Sequence, residues 1–426
     1  MGMLIRDVMI VTLDTLNEVV KRGYVLIKGD SIAQVAEGDY EGSLDGIRVI
    51  NGKGYCAMPG LVNCHTHMAM TLLRGYGEGL PLMRWLNEKV WPMEAKFKEE
   101  HIVAGSNLAM VEMLRSGTTT FSDMYFYQDA VKRCAKDYGM RAVLGFPIMG
   151  DDWESLLNSY LGSVERINSE KSDMSKAMLA PHSSYTLSRD ALKSIAAAAK
   201  DIGCGIHIHV SETEEEQRIV MGNYGKTPAE LLLETGIFDV KTMAAHCVYL
   251  SDGDMEILKG RNVSPVHNPV SNMKLASGAA KVADMLGKGM QVSLGTDGAS
   301  SNNGLNMFGE MKAGALLQKL ACRDTTVLSG RTMLEIASPN GAAALGLSNL
   351  GRIKPGYLAD LVLVNLKKPS MVPVHDIHSN LVFSANGSEV EYVIINGKLV
   401  MDKGEFTEID EEKAVYEAAM ISDELS

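Results

Sequence analysis

Four short segments carry residues that together could hold a metal and move protons: Cys64-His65-Thr66-His67, His209-Val210-Ser211-Glu212, His246, and Thr296-Asp297-Gly298. Each follows a short apolar run. His65 and His67 are two apart, so on a strand they face one side and both rings can reach one ion. Alone, H-x-H is a weak signal; His209 alone could be a satisfied histidine in an apolar strand, and Asp297 alone a cap in a turn. As a set, three imidazoles and a carboxylate suit zinc, or iron, better than calcium or magnesium. A catalytic site of this kind keeps one position open for water and lowers that water's pKa towards ~7. Asp297 would orient the water and accept its proton, and His246 would hydrogen-bond the attacking oxygen. Glu212 lies three residues past His209, too far along to share its strand face. It reads as a general acid/base outside the ligand set, against the competing reading of a solvated carboxylate in the charged helix start Glu212-Thr213-Glu214-Glu215-Glu216. His207 shares a strand face with His209 and is the alternative ligand, but it should lie one layer deeper. His267 also ends a strand and could look into the same pocket. His101, His375 and His378 have no partners in this pattern.

These residues need a scaffold that gathers distant strand ends. Short apolar strands alternate with helical stretches over residues 59–356, the pattern of βα units and a parallel sheet. Eight strand candidates fall at 60–64, 118–122, 142–146, 177–180, 205–210, 242–245, 263–266 and 292–295. That count predicts an α/β fold, a (β/α)8 TIM barrel, with its active site at the C-terminal ends of the strands. His65 and His67 end the first strand, His182 follows the fourth, His209 ends the fifth, His246 the sixth, and Asp297 the eighth. Agreement between residue type and topology carries more than any single motif. Arg141 starts the third strand and is placed at the opposite rim.

Residues 1–58 and 357–426 read differently. Val8-Met9-Ile10-Val11, Tyr24-Val25-Leu26-Ile27, Ile32-Ala33-Gln34-Val35, Asp360-Leu361-Val362-Leu363-Val364 and Val390-Glu391-Tyr392-Val393-Ile394-Ile395 are strand-like. Lys28-Gly29-Asp30 and Asn396-Gly397 are turn signals. Neither end is long enough for a good core, so a small β-sandwich domain built from both termini is expected. Residues 410–424 read as a helix.

Composition bounds the partners. The 426 residues are 46% hydrophobic and 22% charged, with net charge -12. That acidity argues against nucleic acid or an anionic membrane as partner. No apolar stretch approaches the ~20 residues of a membrane helix, and nothing at the N-terminus reads as a signal peptide. The six cysteines are scattered without a C-x-x-C pair, which predicts a reducing, cytoplasmic setting. Cys64 and Cys247 adjoin key histidines but should point away into packing. Most of the 27 methionines read as core filler.

Met58-Pro59-Gly60-Leu61-Val62-Asn63-Cys64-His65-Thr66-His67 resembles the opening barrel strand of the amidohydrolase superfamily. His209-Val210-Ser211-Glu212-Thr213 and Gly295-Thr296-Asp297-Gly298 resemble its later metal strands, and 351–362 its return from barrel to β-domain. The resemblance spans essentially the whole chain and is strongest to the branch that deaminates 5'-methylthioadenosine, S-adenosylhomocysteine and 5'-deoxyadenosine. It implies one Zn2+ (or Fe2+ or another divalent metal) held by His65, His67, His209 and Asp297. No carboxylated lysine is implied, because the fourth strand ends in Pro181-His182. It implies substrate contacts from Glu94 to the ribose hydroxyls, from His182, and from Glu212 and Asp297, with 268–275 shaping the pocket. Water would attack C6 of the purine, with Glu212, His246 and Asp297 handling protons and charge, to give the inosine analogue and ammonia. Relatives that favour S-adenosylhomocysteine often carry an Arg after the third strand; here 146–152 has none and carries Asp151 and Asp152, which points to small or apolar 5' groups. A homo-oligomer, dimer or tetramer, is expected, and 75–91 could be a lid or a contact between copies. The same metal set also serves guanine, cytosine and triazine substrates. A barrel acting only as a structural protein, or as a passive metal binder, is the reading from outside enzymes.

Overall fold

The computed structural model describes residues 2–14, 18–170 and 172–425. Five strands come first: β1 (Gly2–Val11), β2 (Val19–Lys28), β3 (Ser31–Glu37), β4 (Ile47–Asn51) and β5 (Tyr55–Pro59). Eight follow: β6 (Leu61–Thr66), β7 (Thr118–Met124), β8 (Arg141–Ile148), β9 (Ser175–Pro181), β10 (Gly205–Val210), β11 (Thr242–His246), β12 (Ser264–His267) and β13 (Ser293–Leu294). The last four are β14 (Leu361–Asn365), β15 (Val390–Ile395), β16 (Lys398–Asp402) and β17 (Glu405–Phe406).

Strands β6 to β13 pair in sequence order, every neighbouring pair parallel, with helices between most of them. They are buried almost throughout because helices cover one face and the packed interior the other. The expected (β/α)8 barrel is therefore present, and the predicted strands match within a few residues. The last seam is different. No ladder joins β13 to β6 among the described residues. Instead Asn63 Nδ2 donates to Thr296 Oγ1 at 2.8 Å, Thr296 N donates to Asn63 Oδ1 at 3.1 Å, and Asp297 N donates to His65 O at 2.9 Å. Gly295 permits this approach, since a Cβ there would lie 2.8 Å from His65 N.

The terminal strands form one hydrogen-bonded sheet in the order β17-β16-β15-β14-β5-β1-β2-β3, with β4 also paired to β1. Residues 2–6 of β1 pair with β4, and residues 9–10 pair with β5. Both chain ends feed one core that includes Ile5, Ile10, Val25, Leu361, Leu363 and Ile394. Asn396 and Gly397 both have positive φ (53° and 71°), as the predicted hairpin turn requires. The C-terminal helix spans Glu411–Leu425.

Arg141 lies at the start of β8, at the rim facing this sheet. Its guanidinium is fully buried and bidentate to Asp360: Nε to Oδ2 at 2.6 Å, Nη2 to Oδ1 at 3.0 Å. Nη2 also donates to Asn396 Oδ1 at 2.9 Å. Removing one partner of such a pair strands a buried charge, so Asp360→Ala is expected to destabilise the fold by about 3–5 kcal/mol. The paired apolar replacement Arg141→Met/Asp360→Leu should cost less. Urea unfolding of the three proteins checks this.

Candidate active site

The C-terminal ends of β6, β10 and β11 and the loop after β13 converge on one cluster. His65 and His67, from β6 and the residue after it, bring Nε2 to within 3.3 Å and 3.2 Å of Asp297 Oδ1. Side-chain donor atoms of His65, His67 and Asp297 lie within 4.8 Å of one another, as do those of His65, His209 and His246. His246 and Asp297 adopt left-handed backbone conformations, with φ of 71° and 63°. Such conformations are disfavoured for residues with a Cβ and tend to gather at functional sites.

Each ring is oriented by a bond to its other nitrogen. His67 Nδ1 meets Met124 O at 2.6 Å, His209 Nδ1 meets His182 O at 2.8 Å, and His246 Nδ1 meets Asn272 Oδ1 at 2.9 Å. A carbonyl on Nδ1 fixes the proton there and leaves Nε2 free. His65 Nδ1 meets His207 Nε2 at 2.9 Å, and His207 Nδ1 meets Ser122 Oγ at 3.3 Å. His207 is thus one layer deeper, behind His65, as its position in β10 predicted. Asp297 is held too: Ser271 Oγ and Ser301 Oγ donate to Oδ2 at 2.6 Å and 2.8 Å.

The electrostatics suit a cation. Burial lowers His65 to about 4 and takes His209 well below the ordinary value, so both rings are neutral donors of lone pairs. Burial would raise Asp297, but the imidazoles of His65 and His67 hold its carboxyl well below the usual range. Burial pulls His67 down, yet the same carboxylate outweighs it and pushes the ring up to about 9. A site that retains a proton there is one that favours positive charge. His65 Nε2 is buried without a hydrogen-bond partner. An orphaned imidazole nitrogen beside an anchored carboxylate fits a metal ligand set.

Glu212 Oε2 lies 3.9 Å from His246 Nε2, and burial raises its carboxyl. It is a pocket residue, while Glu214 is the exposed member of the acidic run. Thr213 caps the helix Glu214–Tyr224 by accepting from Glu216 N. Glu216 is buried and pushed up to about 7 by that burial; Oε2 accepts from Glu212 N at 2.9 Å and Oε1 from Ser184 Oγ at 2.9 Å. Glu216 was missed from the sequence, although Thr-x-x-Glu is a capping signal. Ser271 and Asn272 lie in the segment 268–275 that the resemblance placed at the pocket, without either being singled out, and Ser301 carried no sequence signal of its own.

Glu94, His182, Glu212 and Asp297 line one pocket with His67 and Tyr125. Glu94 is raised by burial and accepts a hydrogen bond from Tyr125 OH. Burial lowers His182 to about 4; its Nδ1 contacts Ser183 and Thr186 hydroxyls, both at 3.1 Å. Segment 75–91 supplies an apolar wall through Leu82, Trp85, Leu86, Val90 and Trp91. Leu275, from the loop after β12, also lines the pocket.

His267 corrects one expectation. It is buried, both ring nitrogens lack partners, and it is not among the pocket-lining residues. Its ring packs beside Gly314 of the helix Met307–Cys322, where a Cβ would sit 3.4 Å away. His101 is an ordinary helix-start residue, accepting from Lys98 N at 2.7 Å.

Comparison with known proteins agrees with this geometry. Residues 56–400 match the Amidohydrolase family. A 5-methylthioadenosine/S-adenosylhomocysteine deaminase from Clostridium tetani is 55% identical over 98% of this chain and 97% of its own. A 5'-deoxyadenosine deaminase from Methanothermobacter thermautotrophicus is 45% identical over 94% of each chain. The crystal structure of an adenosine deaminase from Xanthomonas campestris with bound zinc superposes with a TM-score of 0.94, at 31% identity, over 99% of this chain and 98% of its own. The order of the barrel strands, the histidines at their ends and the matched length say the same thing: the chain belongs to the amidohydrolase family.

Proposed function

We propose that the protein is a zinc-dependent hydrolytic deaminase that converts 5'-substituted adenosines to the inosine analogues and ammonia. The observation that carries this reading is the meeting of a cation-favouring His/Asp cluster, a buried Glu212 and an apolar cleft ending at Glu94 in one pocket. Relatives at 55% and 45% identity that bear the two deaminase names support it.

Zinc would be held by His65, His67, His209 and Asp297 and would supply Lewis acidity to a water. The chain's own residues do the rest. Burial favours the acid form of Glu212, which protonates N1 as C6 is attacked. His246, its Nδ1 anchored on Asn272 Oδ1, presents Nε2 to the oxygen growing at C6 and steadies it there. Asp297 takes the water proton and delivers it to the amino group, which departs as ammonia, while Glu212 recovers a proton from the C6 hydroxyl as the carbonyl forms. Glu94, already turned by the Tyr125 hydroxyl, keeps acceptor capacity for the two ribose hydroxyls. Trp85, Leu86 and Trp91 exclude water from the purine face.

The 5' end meets no cation. Neither Lys nor Arg lines the pocket among the described residues, Pro147 and Met149 are what the end of β8 contributes, and Asp151 and Asp152 are exposed beyond it. A hydrogen bond to a charged group contributes about 1.5–3 kcal/mol, or about 10–100-fold. Without one, S-adenosylhomocysteine forgoes that gain, and its kcat/KM is expected to fall below those of 5'-deoxyadenosine and 5'-methylthioadenosine. Loss of adenine absorbance, followed for these three and adenosine with metal-quantified protein, tests both claims. Turnover abolished by chelation and restored by zinc supports the deaminase, and no turnover with zinc fully loaded sinks it. S-adenosylhomocysteine ranking above methylthioadenosine sinks the 5' preference alone.

A further inference from the structure

Behind Asp297, and outside the pocket, lies a carboxylate that the reaction does not use. Glu310 is 2% exposed, in the helix Met307–Cys322. Its two oxygens reach two different loops. Oε2 accepts from Val270 N at 3.3 Å, in the short helix Pro269–Lys274 within the loop after β12, and Oε1 accepts from Asn302 Nδ2 at 2.6 Å, in the short helix Ala299–Asn302 within the loop after β13. The next residue after Val270 is Ser271, and the residue before Asn302 is Ser301. Those are the two hydroxyls that donate to Asp297 Oδ2. Asn302 Nδ2 also donates to Thr296 O at 2.6 Å, on the peptide leading into Asp297. Asn272, two residues past Val270, holds the His246 ring.

We infer that Glu310 is a positioning residue for Asp297: it staples the loops after β12 and β13 together, so that Ser271 and Ser301 bind the same carboxylate oxygen and leave Oδ1 aimed at His65 and His67. The inference rests on the reading of Asp297 as a ligand. A single buried carboxylate suits the task because it offers two acceptor atoms in a fixed plane to donors on separate elements. A buried acid with only a packing role has no need of donors from both loops. Gln at this position keeps the shape but turns one acceptor into a donor, which faces either Val270 N–H or the Asn302 amide.

The test uses the full-length protein and compares wild type, Glu310→Gln, Ser271→Ala/Ser301→Ala, and the triple variant. Zinc affinity is measured by competition with a chromophoric chelator, and the visible bands are recorded after cobalt substitution. Glu310→Gln is expected to weaken zinc binding about 10–100-fold, the range for groups that orient metal ligands. It should shift the cobalt bands in the same sense as the double serine variant. Added to that variant it should cost less than about twofold more, because the two changes act through one path. Equal losses in both backgrounds, or no loss in either, overturn the inference. If Glu310→Gln does not accumulate as folded protein, Glu310→Asp, which keeps the carboxyl group but is too short to span both loops, takes its place with the same expectations. Asp297→Asn is measured alongside: unchanged zinc affinity in that variant would strike the proposed function itself, whatever Glu310 does.

Discussion

Replacing Glu212 by Gln should lower kcat by about 10²–10⁴-fold, the range for a positioned proton donor, while zinc content stays at the wild-type level. The expectation follows from where the carboxyl sits. It is largely buried, its side chain 12% exposed, 3.9 Å from His246 Nε2, on the pocket side of the cluster but outside the set His65, His67, Asp297. Gln preserves size and the backbone bond from Glu212 N to Glu216, so the loop should stay in place. What it removes is the acid that protonates the ring nitrogen before ammonia can leave. A kcat loss with KM little changed marks an interaction made in the transition state. Near-normal turnover in this variant would end the proton-shuttle assignment, and metal analysis of the same sample separates that outcome from loss of the ion.

His209→Ala should abolish turnover through a different quantity, metal affinity. Groups that merely orient ligands alter affinity by about 10–100-fold, so a ligand itself should exceed that range. His209 offers a neutral ring pinned by the His182 carbonyl. Its loss leaves the remaining imidazoles crowded around Asp297 with one donor fewer. Because an ion that binds only the folded chain stabilises it by mass action, about 2.7 kcal/mol at a hundredfold excess over Kd, the variant should also lose the rise in Tm that zinc gives the wild type. Calorimetry with and without zinc and zinc quantification by mass spectrometry check both parts. A His209→Ala protein that retains stoichiometric zinc and the full Tm shift would move the ligand role elsewhere.

The parts of this molecule that were readable in advance are those where a local rule and the tertiary answer coincide. His65, His67, His209 and His246 each end an apolar run, and a parallel barrel puts every such end on one rim. Asn396-Gly397 specified its turn because both residues take positive φ. What stayed hidden was set by packing between distant segments. Glu310 stands in Gly309-Glu310-Met311-Lys312, where the sequence offers no hint that this carboxylate is buried. Glu216 stands in a run of acids whose other members are less buried. Strands β4 and β16, with the sequences IRVIN and KLVMD, are short and polar enough to escape notice without the sheet that pairs them. His267 misled because strand-end position was its whole argument, and strand ends can turn outward against a helix.

The seam between β6 and β13 has a consequence for how the chain acquires its activity. Asn63 and Thr296 are 233 residues apart, so the ring can close only after nearly the whole barrel sequence has been made. The cluster straddles that seam, His65 and His67 on one side and Asp297 on the other. Loop-closure entropy grows only as the logarithm of the enclosed length, so the separation is tolerable at equilibrium, but contacts of such separation form late. A nascent or truncated chain with seven strands in place therefore still lacks Asp297, and with it the carboxylate that His65 and His67 face, so its turnover is expected to be lost. Appearance of turnover during refolding reports the docking of the last strand, and a ligand set split across the final closure makes the reaction a built-in check that the barrel is whole.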